Sequence, residues 1–197
     1  MTRRALLTLG LLLALAPPAR AGEFWKPFLA GAASGFAIHE GRHLLFDIVY
    51  DAEPRLKGVS FGPLPFFAVT HRNGLPSNQE ALISGAGFLS QQVTSETVLT
   101  RRAPGDEVSP FEKGLLAFHV ATSVAYAGAA FARYGPYERD TRGIADATGT
   151  DERVIGALVL APAVFDGWRY KRPNSRVAKW SSRLSKVAFL GLIVFKE

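Results

Sequence analysis

Two histidines four residues apart, with a glutamate directly after the first, stand in His39-Glu40-Gly41-Arg42-His43. On a helix, side chains four apart lie on one face, so both imidazoles can reach a single metal ion. Glu40 is one step round the helix. It can approach a water activated by that ion and take its proton without itself being a ligand. The motif is flanked by apolar residues on both sides, Phe36-Ala37-Ile38 and Leu44-Leu45-Phe46. Two surface histidines would leave those flanks unexplained, whereas an inward-facing metal site accounts for them.

The chain has no cysteine, which excludes disulfides, thiolate metal sites and cysteine nucleophiles. A zinc ion would therefore need a third ligand from His, Asp or Glu. Five residues are candidates: Asp166, His71, His119, Glu80 and Glu96. Asp166 lies in Ala161-Pro162-Ala163-Val164-Phe165-Asp166-Gly167-Trp168, near the end of an apolar helix. A carboxylate there needs a cation or hydrogen-bond donors, and Arg169 or Lys171 could supply them as well as a metal could. His119 interrupts the most apolar segment, where a hydrogen-bonded buried histidine is the commoner outcome. His71 stands beside Arg72 and Asn73 in a loop.

The elements that must position these groups follow from the apolar pattern. Residues 24–50 make a helix with a run of small residues, Ala30 to Gly35, that allows close helix approach. Residues 51–80 are punctuated by Pro54, Gly58, Gly62, Pro63, Pro65, Gly74 and Pro76, and predict a hairpin or re-entrant loop with short strands at 58–61 and 66–70. A helix is expected over 80–100. Gly114 to Ala132 is 19 residues without a formal charge, long enough to cross a bilayer. A polar connection (133–152), an apolar helix (153–170), a basic stretch (Arg169–Lys186) and a short apolar end (Val187–Phe195) complete the chain. The expected fold is mainly α, a polytopic membrane bundle of four to five helices with a short β-hairpin or re-entrant loop after the first helix. A soluble exported bundle burying the same faces is the competing arrangement.

The composition, 48% hydrophobic and 20% charged, is apolar for a soluble chain and polar for one that is membrane throughout. Arg3 and Arg4, the apolar run Leu6–Ala16 and Ala19-Arg20-Ala21 have the order of an export signal over residues 1–21. Residues 22–197 would then be a single membrane-embedded domain, delivered to a bacterial-type inner membrane. Without the leader the basic excess falls from six to three, too little to argue for nucleic acid as a partner. Membrane lipid and a membrane-protein substrate are the expected partners. By the positive-inside rule the basic stretch belongs in the cytoplasm, a side that a cleaved leader followed by four spans does not give it. Either one apolar segment does not span, or the first segment is not a cleaved leader.

The order of motifs resembles that of site-2-protease-type intramembrane zinc metalloproteases. That family places H-E-x-x-H in a membrane helix, followed by a Gly/Pro-bearing strand or re-entrant segment, a helix opening on small residues, and a later helix with an L-D-G motif. Here these are similar to His39–His43, Val59-Ser60-Phe61-Gly62-Pro63, Ile83-Ser84-Gly85-Ala86-Gly87-Phe88-Leu89-Ser90-Gln91 and Phe165-Asp166-Gly167. The resemblance implies a Zn2+ centre with His39, His43 and Asp166 as ligands and Glu40 as general base. Gln91, or alternatively Gln92, would take the place of the family's substrate-polarising asparagine. It implies peptide-bond hydrolysis. The departures, with no proline between Gly85 and Gly87 and an additional helix at 114–132, fit a non-catalytic membrane scaffold or assembly protein as the alternative.

Overall fold

A computed structural model describes residues 21–61, 64–102 and 106–195. Residues 1–20, and with them almost all of the expected export segment, lie outside the described part. The chain runs α1 (Ala21–Val49), β1 (Arg55–Phe61), β2 (Leu64–Thr70), α2 (Ser77–Arg101), α3 (Pro110–Ala132), α4 (Asp140–Thr148), α5 (Glu152–Lys171) and α6 (Arg176–Phe195). It is mainly helical with one small antiparallel hairpin, in register Arg55↔Thr70 through Val59↔Phe66.

Two elements depart from the sequence expectation. The polar connection at 133–152 contains a helix, α4, closed by Gly149 in the left-handed conformation. The basic stretch, to which the sequence assigned no element, is helical for most of its length: Arg169–Lys171 end α5, and from Arg176 onward it is the first part of α6, where Val177, Trp180, Leu184 and Val187 recur at helical spacing between its charges.

Local chemistry explains the helix starts. At α3, Ser109 accepts from the Glu112 backbone N–H while the Glu112 carboxylate accepts from the Ser109 N–H, with Pro110 in the first turn. At α5, Asp151 accepts from the Arg153 N–H. α1 and α3 pack backbone against backbone. A Cβ on Gly31 would meet the Phe111 carbonyl oxygen at 1.9 Å, and one on Gly114 would meet the Phe28 carbonyl oxygen at 2.0 Å. The apolar core joins Phe88 of α2, Ile144 of α4, Ile155 and Val159 of α5, and Phe189 and Ile193 of α6.

α3 is the one helix among the described residues long and apolar enough, by length and composition, to cross a membrane. The distribution of polarity is unusual for a bundle this small. His39, His43, Asp47, Gln91, Gln92, His119, Asp166 and Arg169 are buried. Ile48, Val49, Val124, Val164, Val177, Trp180, Leu184, Val187 and Phe195 are exposed.

Candidate metal centre

His39 and His43 point inward from α1, one turn apart, and are 1% and 6% exposed. Their Nε2 atoms lie 3.3 Å from each other. The third member of the group is Asp140, whose Oδ2 is 3.1 Å from His39 Nε2 and 3.4 Å from His43 Nε2. These three residues form a group that could hold a metal ion. It takes both histidines of the sequence motif and completes them from outside it.

Asp140 is placed by contacts on either side. Arg139, the residue before it, is buried and donates twice to Glu152 at the start of α5, both at 2.6 Å. Thr141, the residue after it, donates to the same carboxylate at 2.9 Å. Gly143, one turn on, lets α4 lie against α2, since a Cβ there would come within 2.2 Å of Ser84 Oγ. Burial alone would raise the Asp140 carboxyl. The two imidazoles outweigh that and hold it well below the ordinary carboxylate range. Asp140 is thus in the anionic form a metal requires.

The histidines are held from behind. His43 donates from Nδ1 to the Ile83 carbonyl oxygen at 2.8 Å, which leaves Nε2 as the nitrogen facing Asp140. His39 lies flat over Gly87 of α2, where a Cβ would come within 2.3–2.6 Å of three imidazole atoms. Gly87→Ala must therefore push the ring away from Asp140. Its expected result is at least a tenfold loss of metal affinity with about 1–3 kcal/mol of destabilisation, read by metal titration and thermal melts. Wild-type affinity in this variant would show that the ring is not held there.

The other expected site residues are dispersed. Asp166 does not stand beside His39 and His43. It accepts from Ser182 Oγ at 2.6 Å, pairs with Lys186 at 2.9 Å and faces His119 Nε2 at 3.3 Å. The cation its burial demands is an ammonium group from α6, and Asp140 occupies the place beside the histidines. Glu96 is engaged by Arg169, Arg183 and Lys186 at 2.6, 2.8 and 3.1 Å. Gln91 is buried with Nε2 2.9 Å from His39 Nδ1, the ring nitrogen that does not face Asp140. Glu40 is half-buried, close enough to feel both imidazoles and Asp140 electrostatically, and its carboxylate makes no side-chain hydrogen bond among the described residues.

A cleft of about 350 Å³ leads to the group, bounded by His43 and Asp140 at its base, Lys57 and Thr70 of the hairpin, and His71 and Glu80. His71 is bracketed by two carboxylates: Glu80 at 2.8 Å and the fully buried Asp47 at 3.3 Å, the latter off the hydrogen-bond axis. Asp47 first and Glu80 second raise its pKa from 6.5 to about 9 against the opposing effect of burial. A raised histidine pKa stabilises the fold fully below about 6.5, and the contribution fades as pH rises through about 9. Because His71 is partly solvated, its full effect is expected to be about 1–2 kcal/mol. Unfolding midpoints should fall between pH 6.5 and 10 in the wild type and much less in His71→Gln. Parallel profiles would rule out this role.

Asp140 is the residue that sequence reasoning missed. It is one acid among Glu138, Asp140, Asp146, Asp151 and Glu152 in a polar stretch, and nothing local distinguishes it. Compared with protein-family models, with curated proteins and with solved structures, the chain matches none of them.

Proposed function

We propose that this chain is a membrane-embedded, zinc-dependent hydrolase of peptide bonds, with His39, His43 and Asp140 as the metal ligands and Glu40 as the general base. The observation that carries the reading is the ligand triangle. A tetrahedral zinc ion with bonds of about 2.0–2.1 Å has neighbouring ligand atoms about 3.3–3.4 Å apart. The three separations here are 3.1, 3.3 and 3.4 Å. Two imidazoles and one carboxylate suit zinc and leave a fourth position open, as catalytic sites require.

Zinc, when bound, lowers the pKa of a water toward neutrality and polarises a carbonyl. The chain supplies the rest. Glu40, whose carboxylate has no hydrogen-bond partner among the described residues, accepts the water's proton and returns it to the departing amine nitrogen. The cleft beside the hairpin admits the substrate, and its walls carry both signs of charge (Lys57, Glu80, Glu138).

Membrane residence is supported by the many apolar residues on the outer surface of the bundle together with its buried ionisable groups. A soluble monomer rarely leaves a surface this apolar, whereas ionisable residues within a membrane bundle face inward. α6 illustrates the apolar outer face: Val177, Trp180, Leu184, Val187 and Val194 are exposed, although its inner face is mostly apolar too, with Ala178, Phe189 and Ile193 buried beside Ser182. Metal analysis of detergent-purified protein, together with peptide hydrolysis by wild type and Glu40→Gln, tests the proposal. Protein that contains no zinc and takes up none would end it.

A further inference from the structure

The metal group is backed by a line of polar side chains that its proposed chemistry does not use. Gln91 of α2 reaches between two imidazoles, with Nε2 2.9 Å from His39 Nδ1 and Oε1 3.4 Å from His119 Nδ1. His119 of α3 has its other nitrogen 3.3 Å from Asp166 Oδ2 on α5. Asp166 is anchored from α6 by Ser182 and Lys186. Gln91, His119 and Asp166 are 4%, 3% and 2% exposed. Burying so many polar groups is costly unless each has its partner, and apolar residues would join the four helices at less cost.

Two proton arrangements decide what the line does. With Gln91 Nε2 toward His39, the His39 Nδ1 atom must accept, so its proton sits on Nε2 and is given to Asp140. His119 must then donate from Nδ1 to Gln91 Oε1. A neutral His119 then turns a bare nitrogen toward the Asp166 carboxylate oxygen 3.3 Å away, a pair that stands off the hydrogen-bond axis, and neither atom has another partner among the described residues. Turning the amide over about its Cγ–Cδ bond exchanges its oxygen and nitrogen. His39 then donates from Nδ1 to Gln91 Oε1, Gln91 donates from Nε2 to His119 Nδ1, and His119 Nε2–H is directed to Asp166. Both ring nitrogens that face the amide are then satisfied, an N–H rather than a bare nitrogen stands beside the Asp166 carboxylate, and His39 Nε2 carries a free lone pair toward Asp140 and His43.

We infer that His119 and Asp166, acting through the Gln91 amide, are positioning residues that hold His39 in the tautomer a metal ligand requires. The inference rests on the metal reading given above. It makes the two ligand histidines equivalent in kind: His43 has its outer nitrogen fixed by the Ile83 carbonyl, and His39 has its own fixed by a chain ending on a carboxylate. It also gives Asp166 a role at the centre without direct contact.

The test uses the full chain in detergent with zinc and cobalt ions as probes. In His119→Phe, zinc affinity measured by chelator competition should fall tenfold to a hundredfold, the usual loss for an outer partner, with one ion still bound at saturation. The visible spectrum of the cobalt form should shift, and His119→Gln, whose amide oxygen can accept from Gln91, should recover most of the affinity. Gln91→Met, which cuts the line at similar volume, should match His119→Phe and serves where that variant does not fold. Wild-type affinity and an unchanged cobalt spectrum in both His119→Phe and Gln91→Met would overturn the inference alone. Wild-type protein that binds neither ion, or Asp140→Ala that binds as the wild type does, would overturn the metal reading and the inference with it.

Discussion

Asp140→Ala loses stoichiometric zinc, whereas Asp166→Ala keeps one ion per chain at saturating metal. The contrast follows from distance. Asp140 Oδ2 is within 3.4 Å of both histidine Nε2 atoms, and its removal deletes one of three protein ligands. A zinc site of this kind binds with a free energy of about 10–16 kcal/mol spread over its ligands. Losing one should weaken binding by about a thousandfold or more, about 4 kcal/mol. Asp166 touches Ser182 and Lys186, so its loss acts only through His119 and Gln91. Inductively coupled plasma analysis after dialysis, and titration with a competing chelator, separate the two variants. Equal zinc loss in both, or retention in Asp140→Ala, would contradict the assignment of the third ligand.

Glu40→Gln retains zinc and loses hydrolysis. Glu40 is not part of the ligand triangle, so metal content should equal that of the wild type. The amide keeps the shape of the side chain but cannot accept a proton. A general base contributes about a hundredfold to ten-thousandfold, so kcat should fall by about a thousandfold with KM little changed. Peptide cleavage in detergent, measured beside metal content, checks this. Equal turnover in both proteins would remove Glu40 from the mechanism. Zinc binding without cleavage of any membrane-protein substrate, in wild type as in variant, would favour the scaffold alternative.

Much of the bundle was legible from the chain. The helix at 24–50, the punctuated 51–80 segment and the charge-free stretch from Gly114 correspond to α1, the hairpin and α3 within a few residues. Those signals are local: apolar spacing and the positions of Pro and Gly. The helix α4 was not expected, although Thr141, Ile144, Ala145 and Thr148 recur at helical spacing, because only two of those four are apolar and the segment is short. The helical start of α6 was obscured by its basic residues, which alternate with a stripe of exposed apolar ones.

The sequence by itself determined that His39 and His43 share one face, since helix geometry places residues four apart together whatever surrounds them. It also determined that no thiolate can take part, and that Glu40 stands beside the pair. Only the tertiary structure decided between the carboxylates. Asp140 is 101 residues from His39 and reaches it because Arg139 and Thr141 clamp α4 to α5 while Gly143 seats it against α2. Asp166 had the more suggestive setting in the chain, yet Lys186 and Ser182 come from another helix to neutralise it. A ligand's type is written in its residue, but its partner is set by which helices pack together, and that is a property of the whole core.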